Sequence, residues 1–499
     1  MKNHKVLLLS FLFIVLTVKV TIASTFSLPD FGAVPDDGKA DTEAIQKAIN
    51  ACSENGGGTV LFPQGTWHSG TVYLNNNITI YLSSGAVWKG LNDSSAYPYM
   101  EARIMSREDR VPRKAMIYGY NLENIKIHGE GTIHPGGEYS VFENAPQNER
   151  PFGIYLIKCK NITVEGIHME QPIFWMQRYF WCDNLSLHNL KIFNHSNRNN
   201  DGIDIDACHN VVVSGCIIDS SDDALVLKSE GTRACEDVVI TNCILRSHAS
   251  MLKLGTASIG GFKRITISNI IITPSRSKEM HHPIGSWRGL AGIDLLNVDG
   301  GVMEDILINN VIIDSVETPI FIKFGNRHDS WPGKPATTPG ITRNIQISNV
   351  TIRNAGPICS SITGYPDHPV ENIRLNDMYI SVDGVTDLAD TATQVIENSD
   401  GYPFNRMFHS NLPAYGLFLR HVNDIKLDNI EMVIGNEEVR PAMHLENLNG
   451  GLFEDVNMDQ PQSNQPKVKV INSSNLRFDI HGFSNDNIWV TNSNTISLE

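Results

Sequence analysis

Three aspartates carry the chemistry that this sequence offers most clearly. Asp201 closes the run Asn199-Asn200-Asp201, and the pair Asp222-Asp223 begins 21 residues further on. Carboxylates repel one another, so packing alone gives no reason to gather three of them. Crowding raises the pKa of at least one. A site with one protonated and one ionised carboxyl can protonate a leaving oxygen while it activates a water, which is what cleavage of a glycosidic bond requires. The nearby Asp204 and Asp206 read instead as turn residues, a common use of Asp.

The elements that must position this trio are visible as a repeat. Asn161-Ile-Thr-Val, Asn184-Leu-Ser-Leu, Asn210-Val-Val-Val and Asp237-Val-Val-Ile each alternate apolar and polar residues and then turn through Asn or Gly. Residues 161, 184, 210, 237 and 264 start successive units, 23 to 27 residues apart. A fixed short period marks a solenoid. Strand patterning without helical periodicity makes it a parallel β-helix, in which each coil buries its inward side chains against the coils above and below. The expected fold is therefore all-β, a single right-handed parallel β-helix. Asp201 and Asp222-Asp223 then fall on adjacent coils, with backbones ~5 Å apart.

An apolar stripe of Ala44, Ile45, Ala48, Ile49 and Cys52 predicts a helix over 41–52 that covers the N-terminal end of the solenoid. Asp41 or Thr42 is its expected N-cap and Gly56-Gly57-Gly58 its stop. Beyond residue 264 the gaps widen to 41, 39 and 52 residues. The excess predicts long loops in the C-terminal half, at 273–300, 325–342 and 382–420, beside the groove that holds the carboxylates.

Composition narrows the function. The 499 residues include 40 Lys+Arg against 55 Asp+Glu, a net charge of −15, which argues against nucleic acid or an anionic membrane as partner. Residues 1–23 have a basic start, an apolar run over 6–18 and small residues at Thr21 and Ala23, the pattern of a signal peptide. Residues 24–499 are then one exported domain, secreted or periplasmic, and read as a monomer. Cys159, Cys182, Cys208 and Cys235 recur at one place in the repeat and read as buried thiols; a disulfide between rungs stays open.

The chain resembles the family 28 glycoside hydrolases, the polygalacturonase-like enzymes of pectin breakdown. Asp30-Phe31-Gly32-Ala33-Val34, Ala44-Ile45-Gln46 and the Gly-Gly-Gly-Thr-Val-Leu-Phe-Pro-Gln-Gly-Thr-Trp stretch from Gly56 look like the family's opening segment. Asn199-Asn200-Asp201 fits its Asn-x-Asp motif and Asp222-Asp223 its Asp-Asp motif. The resemblance implies an inverting mechanism with Asp222 as general acid, Asp201 and Asp223 on the attacking water, and no metal or cofactor. Ser247-His248-Ala249 stands where the family has Gly-His-Gly, which makes His248 a candidate beside the site. Arg288-Gly289-Leu290 keeps the Arg of the family's Arg-Ile-Lys and loses its Lys. Lys253, Lys323 and Arg327 are candidate substitute cations for a sugar carboxylate, with Asn199 a further contact and Trp175, Trp287 and Trp331 candidate stacking platforms.

The expected function is hydrolysis of an α-linked uronate-containing polysaccharide or oligosaccharide, of galacturonan or rhamnogalacturonan type, by exo-action. Three alternatives share the fold: a polysaccharide lyase, a hydrolase of another glycan such as a sulfated or algal one, and a carbohydrate-binding solenoid without catalysis.

Overall fold

The computed structural model describes residues 24–328, 334, 339–392 and 394–499. The signal peptide expected at 1–23 and the candidate Trp331 lie outside the described residues. Strands pair in parallel from coil to coil along the whole of this span, as the repeat predicts for a parallel β-helix.

The start residues of the units have a backbone reason to be what they are. Asn124, Asn161, Asn184, Asn210, Asp237, Asp305, Asn344 and Asn372 all sit at positive φ, between 51° and 61°. Asn and Asp tolerate this left-handed corner better than other side chains. The Asn side chains also stack. Asn161 Nδ2 donates to Asn124 Oδ1 at 2.9 Å, Asn184 to Asn161 at 2.9 Å, and Asn210 to Asn184 at 3.2 Å. Each corner is thus bonded to the one before it, which fixes the register of the strands that leave it.

Inward residues form columns. Ile162, Leu185, Val211, Val238, Ile265, Ile306 and Ile345 follow one another across successive pairings, and all are buried. Each such aliphatic side chain contributes about 1.5–3 kcal/mol on burial. The main apolar core runs from Leu28 to Ile488. All eight cysteines are buried and unpaired, so the repeated thiols fill space in these columns.

The capping helix spans Thr42–Glu54 and buries Ile45, Ala48, Ile49 and Cys52. One detail of its start corrects the sequence reading. Asp41 stands at the N-cap, but its carboxylate makes no cap bond. It accepts instead from the backbone N–H of Val34 at 3.1 Å and of His68 at 3.0 Å, tying the helix to the first coils. The helix ends where the chain must turn tightly. Gly58 has φ of 153°, and a Cβ there would lie 2.4 Å from the Ser24 carbonyl oxygen.

One sheet of the solenoid carries an outward column that defines the functional face: Tyr155, Arg178, Asp204, Val226, Lys253, Asp294 and Phe321, in register from coil to coil. Both ends of this column are roofed. At the N-terminal end Asp109, from the loop 97–113, accepts from Tyr155 Oη at 2.7 Å and from Arg178 at 3.0 Å. At the C-terminal end Phe321 packs with Phe408 and Phe418 in a separate apolar cluster built from the insertion near residue 400. The middle of the column stays open as a cleft. No helix among the described residues is long and apolar enough to cross a membrane.

Candidate active site

Asp201 lies just before the strand Ile203–Asp206, and Asp222 and Asp223 lie just before Leu225–Ser229. The two turns are neighbours: Gly202 N donates to the Asp223 carbonyl at 2.9 Å. One oxygen from each of the three carboxylates lies within 4.8 Å of the others. All three residues are largely buried and line a cleft of about 300 Å³.

The charges in this cleft are arranged in a definite order. Lys228 Nζ stands 3.3 Å from Asp201 Oδ2 and also pairs with Asp204. Its position is fixed from the other side by Trp175, whose ring centroid is 3.3 Å away. Lys253 Nζ pairs with Asp223 Oδ2 at 2.8 Å. Asp222 is held differently. It accepts from Asn199 Nδ2 at 3.3 Å and from the Asp223 N–H at 2.9 Å, and His282 Nε2 faces it at 3.6 Å. Asn199 is in turn oriented by Arg150, which donates to its Oδ1 at 2.8 Å. The ammonium partners therefore fall on Asp201 and Asp223, and a histidine faces Asp222.

Burial pushes the Asp201 carboxyl well above the usual carboxylate range, and the charges of Asp204 and Asp222 push the same way; Lys228 opposes them. Burial also works against the charge on Lys228, but Asp204, Asp201 and Asp223 outweigh it and hold the ammonium above its ordinary range. Lys253 is held up in the same way, with Asp223 the largest opposing influence to burial. On the next coil Asp294 is a fourth buried carboxyl facing the cleft. Burial pushes it up to about 7, with Lys253 and a hydrogen bond from Ser250 pulling down. The trio oxygens are close enough to share a cation, but Lys228 and Lys253 already stand against two of them.

The sequence-derived candidates divide. Asn199, Asp201, Asp222, Asp223, Lys253 and Trp175 all line the cleft. His248 does not: it is fully buried, its ring lies 5.3 Å from His195 and 5.2 Å from Trp287, and burial pushes it down to about 4. Arg288 bonds to Asp383 and to the Asn354 carbonyl, outside the cleft. Arg327 makes a two-pronged pair with Asp299 at 2.7 Å. Lys323 is buried under the insertion, 6.0 Å from the Phe408 ring, and burial pushes it down to about 8. Trp287 is half exposed against His248 and does not line the cleft.

Asp204 and Asp206 are not turn residues. Both lie on the strand Ile203–Asp206 and are fully buried, paired with Lys228 and Arg178 respectively. Lys228, Asp204, Asp294, His282 and Tyr402 are the cleft groups or supports that the sequence reading missed. For Lys228 a signal existed: it lies two residues beyond a strand Val226 and faces the same side one coil after Asp206.

The family model for glycosyl hydrolases family 28 matches residues 99–399. The chain belongs to this family. Residues 25–138 also match the model for rhamnogalacturonase A/epimerase, pectate lyase-like. A probable polygalacturonase from Vitis vinifera is 29% identical over 219 residues, 42% of this chain and 45% of that protein. An exo-poly-alpha-D-galacturonosidase from Dickeya chrysanthemi is 28% identical over 131 residues, 25% of this chain and 21% of that protein. The chain thus spans about half or less of the length of the curated relatives it matches. Among solved structures, an exopolygalacturonase from Thermotoga maritima superposes with a TM-score of 0.63 at 19% identity, over 82% of this chain and 92% of that one; this likeness is one of fold. The three aspartates, Lys228, Lys253 and Asp294 lie within the stretch that the family model matches; Tyr402 lies just beyond it.

Proposed function

We propose that this hydrolase is an exported, inverting enzyme of polygalacturonase type that releases sugars from chain ends or short oligosaccharides containing α-linked uronates. Residues 24–499 act as one catalytic domain after removal of the leader at 1–23. The observation that carries the reading is the ordered trio, Asp201 and Asp223 each with a lysine and Asp222 without one, set in a cleft roofed at both ends.

The chemistry follows from that order. The general acid is assigned to the carboxyl against which no ammonium stands, which is Asp222. Asp222 then donates to the leaving oxygen as general acid. Burial makes Asp201 a competitor for that proton, and Lys228 is the cation that opposes its protonation. Two carboxylate oxygens up to 4.8 Å apart can both accept from one water at about 2.8 Å each. Asp201 and Asp223 so placed hold the water and remove its proton as it attacks. The nucleophile is then water itself, no covalent intermediate forms, and the anomeric centre inverts.

Exo-action rests on the two roofs. A long polymer needs an open groove at both ends of the site. Here the loop 97–113 covers Tyr155 and Arg178, and the insertion near residue 400 covers Phe321. The Dickeya relative bears the name of an exo-acting galacturonosidase, which accords with this. Viscosity of a polygalacturonate solution, followed against reducing ends, tests it. Slow loss of viscosity with steady release of small sugars is expected, and NMR at early turnover should show the inverted anomer. A steep fall in viscosity at little bond cleavage would exclude exo-action, and a retained anomer would exclude water as the direct nucleophile.

A further inference from the structure

The cleft is asymmetric in charge along the solenoid axis. On the N-terminal side of the trio, Arg107 and Arg110 of the loop 97–113 line it, beside Glu108 and Glu230, whose charges are met by Arg113 and Arg178. On the C-terminal side its lining includes Leu290, Ala291, Asp294, Tyr402 and Asn405, with no cation among the described residues there beyond Lys253, which is committed to Asp223. The cation that the sequence pattern would supply on this side, Arg288, is bound to Asp383 and the Asn354 carbonyl.

Asp294 is the charged group in that C-terminal half. It lies one coil beyond Lys253. Its Oδ2 accepts from Ser250 Oγ, while its Oδ1 is buried without a hydrogen-bond partner. A buried carboxyl oxygen left unpaired in an empty cleft is a polar group awaiting a partner. A sugar hydroxyl can satisfy it. A sugar carboxylate is poorly suited: it meets repulsion from an ionised Asp294, and beside a protonated one it finds only Lys253, already paired with Asp223. Tyr402, half exposed and hydrogen-bonded to Thr256 at 3.2 Å, offers an aromatic edge at the same place, as suits an uncharged ring.

We infer that the C-terminal half of the cleft is a subsite for a neutral sugar, with Asp294 hydrogen-bonded to one of its hydroxyls, and that the uronate lies on the N-terminal side towards Arg107 and Arg110. The inference rests on the reading of the protein as a uronate-active hydrolase and names its substrate more closely: a mixed chain in which the cleaved bond joins a uronate to an uncharged sugar. Asp294 is then a specificity-determining residue.

The test compares three α-linked disaccharides: digalacturonate, and galacturonate joined to a neutral sugar in either order. One mixed disaccharide should exceed digalacturonate in kcat/KM by about tenfold or more, since a like charge in a closed site costs well over the ~1.4 kcal/mol that a factor of ten requires. Asp294→Asn should shrink that ratio severalfold, with thermal melting used to verify the fold. Binding of the same disaccharides to the Asp222→Asn protein, by calorimetry, reads the preference without turnover. Equal or better use of digalacturonate by the unaltered enzyme, or a ratio that Asp294→Asn leaves unmoved, overturns the inference. If the enzyme cleaves none of the three and no polymer, the hydrolase reading falls, and the calorimetric preference still decides the subsite.

Discussion

Replacing Lys228 by Met tests the proposed division of labour among the aspartates most directly. The side chain keeps an unbranched chain one atom shorter and loses the charge, together with the ammonium's contact on the Trp175 ring. The ammonium stands 3.3 Å from Asp201 Oδ2 and also holds Asp204. At an effective dielectric of about 20, a unit charge pair at this distance interacts by about 5 kcal/mol. Relaxation and water entry reduce this, but an upward push on the Asp201 carboxyl remains. The sign is fixed. Asp201 must be ionised to take a proton from water, and its carboxyl is already pushed up by burial. Losing the cation raises it further, so the acidic limb of the kcat profile moves to higher pH. At the pH optimum of the unaltered enzyme, Asp201 then carries the proton that Asp222 needs, and kcat falls by about 10²–10³-fold. Stability also falls, because Asp204 is left buried without its partner; about 3–5 kcal/mol is the usual loss. The assay is kcat and kcat/KM against pH, with thermal melting to verify the fold. A folded Lys228→Met protein whose acidic limb stays in place, whatever its overall rate, would refute the assignment of Lys228 as the group that opposes protonation of Asp201.

Two further outcomes follow from the same geometry. Asp222→Asn keeps the hydrogen bond from Asn199 but removes the donor to the leaving oxygen, so kcat should fall by at least ~10²–10⁴-fold with an unchanged melting temperature; near-normal turnover would remove Asp222 from the mechanism. Arg178→Met leaves Asp109, Asp206 and Glu230 buried without their common cation, so denaturant melts should show about 3–5 kcal/mol of lost stability, and the loop 97–113 should loosen and raise KM more than it lowers kcat. An equal fall in kcat at constant KM would show that this loop does not shape the cleft.

Much of the fold was legible because the solenoid is a local code repeated. Each coil needs a left-handed corner, and Asn161, Asn184 and Asn210 announce it; each needs inward aliphatics at alternate positions, and these are plain in the sequence. The carboxylate trio was legible for the same reason: a separation of one coil places Asp201 beside Asp222-Asp223 whatever the loops do. Asp204 and Asp206 were misread because an Asp on an outward strand position looks like an Asp in a turn until the cation that buries it is known.

The sequence by itself therefore determined the parallel β-helix, its helical cap and the meeting of three aspartates, since strand alternation, corner residues and coil length are set within some 25 residues of chain. The tertiary structure decided everything that depends on partners far apart. Arg288 was drawn away to Asp383, 95 residues distant, and Glu230 bonds the loop at Glu108, 122 residues distant. No local pattern encodes such pairings, because the direction in which an insertion leaves the coil depends on what it finds to bury and to neutralise there. Such contacts hold the roof at the N-terminal end of the column, take Arg288 out of the cleft and leave Lys228, Lys253 and Asp294 to set its charge.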